Sequence, residues 1–308
     1  MRLVTFDDGG GSRAGVLVSP YGSVVDLGLT LAGDDRGAFS DVRSLLAGGA
    51  DLQAVDRAAT ALAERGDGVD VATVRLGPPV SDPDKILCIG LNYRDHAAEA
   101  GMEVPAEPTV FAKFRNSLIG ATEQVVVPAA VTQLDYEGEL AVVVGKRASE
   151  VSERDALSVL AGAMVFNDLT ARDLQLATSQ WTMGKAIDTF APCGPALVTL
   201  DEVGDLTSLR LTTTVNGQTV QDDSIGSMVF PVETLVARLS RVMTLEPGDI
   251  IATGTPAGVG FKRTPPLFLW PGDQVEVSVS GLGTLSNQIV ARRCTGAEVP
   301  AGTDGSVR

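Results

Sequence analysis

Apolar and polar positions along the chain divide it into short strand-like pieces with a few helical stretches between them. Leu3–Phe6, Gly15–Ser19 and Ser23–Leu27 read as strands separated by Gly, Asp and Pro turn signals, which predicts a small meander. From Phe39 to Arg65 the apolar positions Val42, Leu45, Leu46, Leu52, Val55, Ala59 and Leu62 recur at helical spacing. Gly48-Gly49 interrupts them, so two amphipathic helices are expected. GPPVSDPD then breaks regular structure near Leu76–Asp84, and residues 1–80 are read as a small N-terminal α+β domain. Lys85–Gly90 is a short apolar strand, followed by a helix in LNYRDHAAEAG that Gly101 would end. Further on, SERDALSVLAGAMVF predicts a short helix capped by Ser152 and then a strand, and Thr170–Gln180 a second helix. A hairpin is expected where Asn216-Gly217 joins Leu209–Val215 to Gln218–Gln221, because Asn-Gly suits a two-residue turn. Pro231–Met243 reads as an amphipathic helix with Leu235, Val236, Leu239 and Val242 on one side. A strand, a glycine-rich loop and two alternating strands complete residues 84–292, and 293–308 reads as a flexible tail.

Acidic residues interrupt this apolar pattern at one place. In LDYEGEL, Glu137 and Glu139 are two residues apart just before the run Ala141–Val144, so a strand sends both to one face. Buried together, two carboxylates repel and lose solvation, which is tolerable only with a compensating cation or proton. Mg²⁺ or Mn²⁺ fits oxygen ligands, and Asp168, after the apolar run Ala161–Phe166, completes a three-carboxylate set with Lys185 as the cationic neighbour. The alternative reading is a solvated edge strand.

Other residues carry candidate chemistry. His96 is the one histidine in the chain, so an imidazole base has no other source, and Glu99 lies one helical turn later where it can orient the ring. Lys113 is a candidate for a substrate carboxylate, or else a solvated charge on an edge strand. Gly254 and Thr255 sit in a loop whose backbone N–H groups can receive an anion. That loop lacks both the phosphate-binding G-K-[ST] pattern and a dinucleotide fingerprint. Arg172 and Asp173 read as an ordinary structural pair, and Cys193 as structural for want of a second histidine.

The segments YEGELAVVVG, NDLTARDLQ, GKAIDTFAPCGP and GDIIATGTPAGVG, in this order, resemble the catalytic domain of the fumarylacetoacetate hydrolase family over Lys85 to Val290. The resemblance implies an α+β, β-rich fold, a mixed β-sandwich or β-roll, following the small N-terminal domain. It implies Glu137, Glu139 and Asp168 as ligands of Mg²⁺ or Mn²⁺, Lys185 beside them, and Gln175 reaching the site through its amide. An N-Y-x-x-H-x-x-E lid in acylpyruvate-hydrolysing members matches His96 and Glu99. The reaction expected is carbon–carbon hydrolysis of an acylpyruvate or other 2,4-diketo acid, with His96 taking a proton from water. Oxaloacetate decarboxylation, or isomerisation of a hydroxymuconate-type diacid, is the alternative on the same site, and a silent binding module is a third reading. A homodimer is also implied.

Composition narrows the partners. A chain of 308 residues with 44% apolar content buries a large core, and a net charge of −15 argues against nucleic acid or an anionic membrane. A small anionic 2-oxo acid would be met by a metal and a few local cations. Cys88, Cys193 and Cys294 are odd in number and far apart, with no disulfide framework or thiolate site. With no signal-like start and no membrane-length apolar run, the expected location is cytoplasmic.

Overall fold

The computed structural model describes residues 1–19, 22–30, 40–101 and 103–292. Cys294 and the tail expected over 293–308 lie outside these residues.

The strand Gly138–Val144 is buried along its whole length and sits near the middle of a twelve-stranded mixed sheet. Its Val-rich sequence suits that position, since a strand covered on both faces needs apolar side chains at successive positions. It pairs antiparallel with Leu160–Asn167 on one side and Ile250–Ala252 on the other. Beyond Ile250–Ala252 come Ile86–Gly90, in parallel, and the edge strand Thr109–Lys113. In the other direction Leu160–Asn167 pairs with Ala191–Thr199, which pairs with Arg2–Asp7. The sheet therefore runs unbroken into the N-terminal eighty residues.

Period two then sorts the two faces. Leu140, Val142 and Val144 pack with Leu211, Val277 and Leu285 of a second, five-stranded sheet. Ala141 and Val143 face the other way, into a core shared with Leu45 and Val55 of the helices Val42–Ala47 and Leu52–Glu64. The result is the β-rich, mixed-sheet architecture expected from the sequence.

Three helices differ from expectation. Thr170–Gln180 reduces to the single turn Arg172–Gln175, because Thr178 turns back on Gln180, its hydroxyl both accepting that N–H and donating to that carbonyl. The segment after Ser152 gives a turn and the short 3₁₀ stretch Ala156–Val159 in place of an α-helix. The last predicted helix is Val232–Ser240, ending where Ser240 accepts the N–H groups of Glu150 and Val151. Val242 is thus beyond the helix and 79% exposed, not on its buried side. No helix among the described residues is long and apolar enough to cross a membrane.

The hairpin turn forms as expected, with φ of +51° at Asn216 and +77° at Gly217. A β-branched side chain is poorly suited to that backbone. Asn216→Val is expected to cost about 1–2 kcal/mol of stability, read from the urea midpoint, with little effect on any activity.

Candidate active site

Register places the acidic residues. Gly138 is opposite Asn167, so Glu137 and Glu139 flank that pair and Asp168 follows it directly. The backbone N–H of Asp168 donates to the carbonyl of Glu137 at 2.8 Å, which ties the two strand ends together. Glu137, Glu139 and Asp168 are all buried, and one oxygen from each lies within 4.8 Å of the others.

Three cations are packed around this cluster. Lys185 Nζ is 2.6 Å from both Glu137 Oε2 and Asp168 Oδ2. Lys113 Nζ is 2.7 Å from Asp168 Oδ1 and also donates to the Leu169 carbonyl. Arg172 Nη2 is 2.6 Å from Glu137 Oε1 and 2.8 Å from Asp135 Oδ2. Burial pushes the Glu137 carboxyl up, but Lys185 and Arg172 outweigh it and hold the group down at about 2. Glu139 behaves oppositely. Burial, then Asp168 and Glu137, push it well above the usual carboxylate range.

The charges explain the contrast. In this cluster four buried carboxylates (Asp135, Glu137, Glu139, Asp168) face three buried cations, and Glu139 is the one of the four without an ion-pair partner among the described residues; its Oε2 accepts the Gly254 N–H, at 2.9 Å. A buried carboxylate in that position is satisfied by a proton or a further cation. Three convergent carboxylate oxygens suit a hard divalent ion such as Mg²⁺ or Mn²⁺.

A cavity of about 80 Å³ opens over the cluster and brings His96, Gln175, Lys185 and Thr255 together with Glu137 and Glu139. Lys113 is only 2% exposed and is turned onto Asp168. The Gly254 N–H is directed at Glu139, and Thr255 donates to the Gly138 carbonyl. Among the lining residues that sequence reasoning missed are Arg172, Phe111, Trp181 and Phe261. Of these, Arg172 left a trace, since the buried Asp135 needed a cation and Arg172 is three residues before Gln175, to whose Oε1 its Nη1 donates at 3.0 Å.

His96 and Glu99 share the helix Arg94–Ala100. The ring Nδ1 is 3.6 Å from Glu99 Oε2, close enough for electrostatic attraction and too long for a hydrogen bond. Glu99 instead accepts the Gly258 N–H, at 3.0 and 3.2 Å to its two oxygens. Its partial burial raises its affinity for a proton, but His96 and this N–H prevail and keep it below the ordinary glutamate range. Gly258 has φ of +105°, and a Cβ there would lie 2.1 Å from the Val220 carbonyl oxygen. Gly258→Ala is therefore expected to move the loop away from Glu99 and lower turnover roughly 100-fold, while Mn²⁺ affinity stays near wild type. Steady-state kinetics beside a metal titration checks this.

Comparisons with known proteins agree with this architecture. Residues 85–290 match the family model described as fumarylacetoacetate (FAA) hydrolase C-terminal. The oxaloacetate tautomerase FAHD2A, mitochondrial, of Bos taurus is 40% identical over 294 residues, which is 94% of this chain and 92% of that protein. The structure of fumarylacetoacetate hydrolase from Exiguobacterium antarcticum superposes with a TM-score of 0.80 at 34% identity, covering 95% of this chain and all of that one. Maleylpyruvate hydrolase from Sphingobium sp. SYK-6, in complex with manganese(II) and pyruvate, gives a TM-score of 0.76 at 30% identity with the same coverage. The chain belongs to the fumarylacetoacetate hydrolase family of enzymes.

Proposed function

We propose that this enzyme moves a proton on the carbon next to the ketone of a small 2-oxo diacid, interconverting the keto and enol forms of oxaloacetate or a close analogue. The observation that carries the reading is a single imidazole in a small cavity that also holds the carboxylate cluster. One water takes roughly 10–15 Å³ of such a space, so about 80 Å³ suits a compact acid better than a long acyl chain. The likeness to an oxaloacetate tautomerase through 94% of the chain supports the same choice.

Glu137, Glu139 and Asp168 would hold Mg²⁺ or Mn²⁺, which when bound supplies a Lewis acid for the carboxylate and ketone oxygens of a 2-oxo acid. The chain's own residues do the rest. Lys185 holds Glu137 and Asp168 in place and adds positive charge at the cavity floor, where negative charge develops on the substrate oxygen. Phe111, Trp181 and Phe261 keep water away from the reacting carbon. Glu99 faces His96 Nδ1, which favours the tautomer with its proton there and leaves Nε2 as the base. From the ketone, the C–H bond next to the carbonyl breaks, its electron pair forms the C=C bond, His96 takes the proton, and the oxygen gains one from solvent. The reverse sequence returns the ketone.

Acylpyruvate hydrolysis, the reaction expected from the sequence, is the second reading. It is supported by the likeness to maleylpyruvate hydrolase, and in it the same nitrogen of His96 would take its proton from water. One experiment separates the two: loss of enol absorbance from oxaloacetate and pyruvate release from acetylpyruvate, measured in parallel with the Mn²⁺-loaded enzyme. Accelerated enol loss with little pyruvate release is the expected result. Fast pyruvate release without accelerated enol loss would replace tautomerisation by hydrolysis.

A further inference from the structure

Asp135 lines no part of the cavity, yet two segments that do are fastened to it. It is fully buried at the end of Leu134–Asp135 and accepts the backbone N–H groups of Gly260 at 2.7 Å and Phe261 at 3.1 Å. From the other side Arg172 Nε donates to it at 2.9 Å. The loop and Arg172 also touch each other, the guanidinium carbon lying 4.2 Å from the centre of the Phe261 ring. The close fit requires glycine at 260, where a Cβ would be 2.7 Å from Asp135 Oδ1 and 1.9 Å from the Leu267 carbonyl oxygen. Arg172 Nη2 is shared between Asp135 and Glu137, at 2.8 and 2.6 Å.

We propose that Asp135 is a positioning residue for the metal centre: it divides the charge of Arg172 with Glu137 and fixes the Phe261 loop over that arginine. The inference deepens the metal-site reading given above and rests on it. With Asp135 in place, Arg172 is held by two carboxylates and Glu137 keeps electron density for a divalent ion. Without it, the whole guanidinium charge falls on Glu137 and competes with that ion. Residues that orient metal ligands from behind commonly change affinity this way.

The test is calorimetric titration of Mn²⁺ into the full-length protein and three variants. Asp135→Asn keeps an acceptor for the loop but puts an amide NH₂ against Arg172. Arg172→Lys keeps the charge, but a point charge cannot span both carboxylates. Asp249→Asn is the control: Asp249 is equally buried and paired with Lys85 at 2.7 Å, but lines no part of the cavity. Asp135→Asn and Arg172→Lys are expected to weaken Mn²⁺ binding roughly 10- to 100-fold, and Asp249→Asn to lower thermal stability with affinity unchanged. Wild-type affinity in folded Asp135→Asn overturns the inference, as does an equal loss in Asp249→Asn. Should Asp135→Asn fail to fold, wild-type affinity in Arg172→Lys overturns it. A wild-type protein that binds no Mn²⁺ removes the metal-site reading itself, a different failure.

Discussion

Asp168→Ala is expected to abolish turnover and to cost about 3–5 kcal/mol of stability, the usual consequence of removing one partner of a buried ion pair. Asp168 is fully buried and both its oxygens are engaged, one by Lys113 and one by Lys185. Lys185 would keep Glu137. Lys113 would retain only the Leu169 carbonyl, so a buried ammonium would lose its counter-charge. Burial already holds Lys113 below the ordinary lysine range, with Asp168 opposing that shift. Without Asp168 the depression deepens. A group whose folded-state proton affinity lies below its unfolded value binds more protons when unfolded, so the stability of Asp168→Ala should rise as pH increases from 7 towards 10. Urea denaturation at several pH values measures both effects. A variant with wild-type stability would show that the Lys113 pair does not hold the site together.

His96→Ala is expected to lower turnover by roughly 10²- to 10⁴-fold, the range typical of a lost general base, while Mn²⁺ affinity and stability stay near wild type. His96 lines the cavity and is the one histidine in the sequence, so no neighbouring imidazole can substitute. Its position depends on the helix Arg94–Ala100, which Glu99 fastens to Gly258. Glu99→Gln keeps an oxygen for that N–H and should lose much less than His96→Ala. Steady-state rates for both variants check this, and full activity in His96→Ala would exclude imidazole from the reaction.

Much of this site was legible because its strongest signals are local. Two glutamates at strand spacing, against an apolar run, require a compensating charge wherever they are buried. Asp168 was legible for the same reason, as a carboxylate at the end of a second buried strand. What stayed hidden was the pairing across the chain. Asp135 meets Gly260 over 125 residues, and no periodicity reports that contact. Arg172 looked ordinary beside Asp173, and only the fold turns it inward to Asp135 and Glu137. The loop at Gly254 was read as a source of backbone N–H groups for a substrate anion; that residue's N–H is directed at Glu139, and those of Gly258 and Gly260 at Glu99 and Asp135. Phe111 and Trp181 come from separate segments and meet edge to face at 5.3 Å, a contact set by the docking of Thr182–Lys185 beside the edge strand. Two of the helices fell short for a simpler reason: the Thr178 hydroxyl bonds to the Gln180 carbonyl and the Ser240 hydroxyl to the Ala237 carbonyl, local side-chain bonds that compete with the helical ladder.

If Glu137, Glu139 and Asp168 hold a divalent ion, proton transfer in a 2-oxo diacid depends on that ion. The most direct test of this dependence is the rate of enol loss from oxaloacetate as Mn²⁺ is returned to chelator-treated enzyme. The expected result is a rate near the uncatalysed background without metal and a saturable rise as Mn²⁺ is added. A rate equally fast in the presence of chelator, or one that never rises above background at any Mn²⁺ concentration, would contradict it.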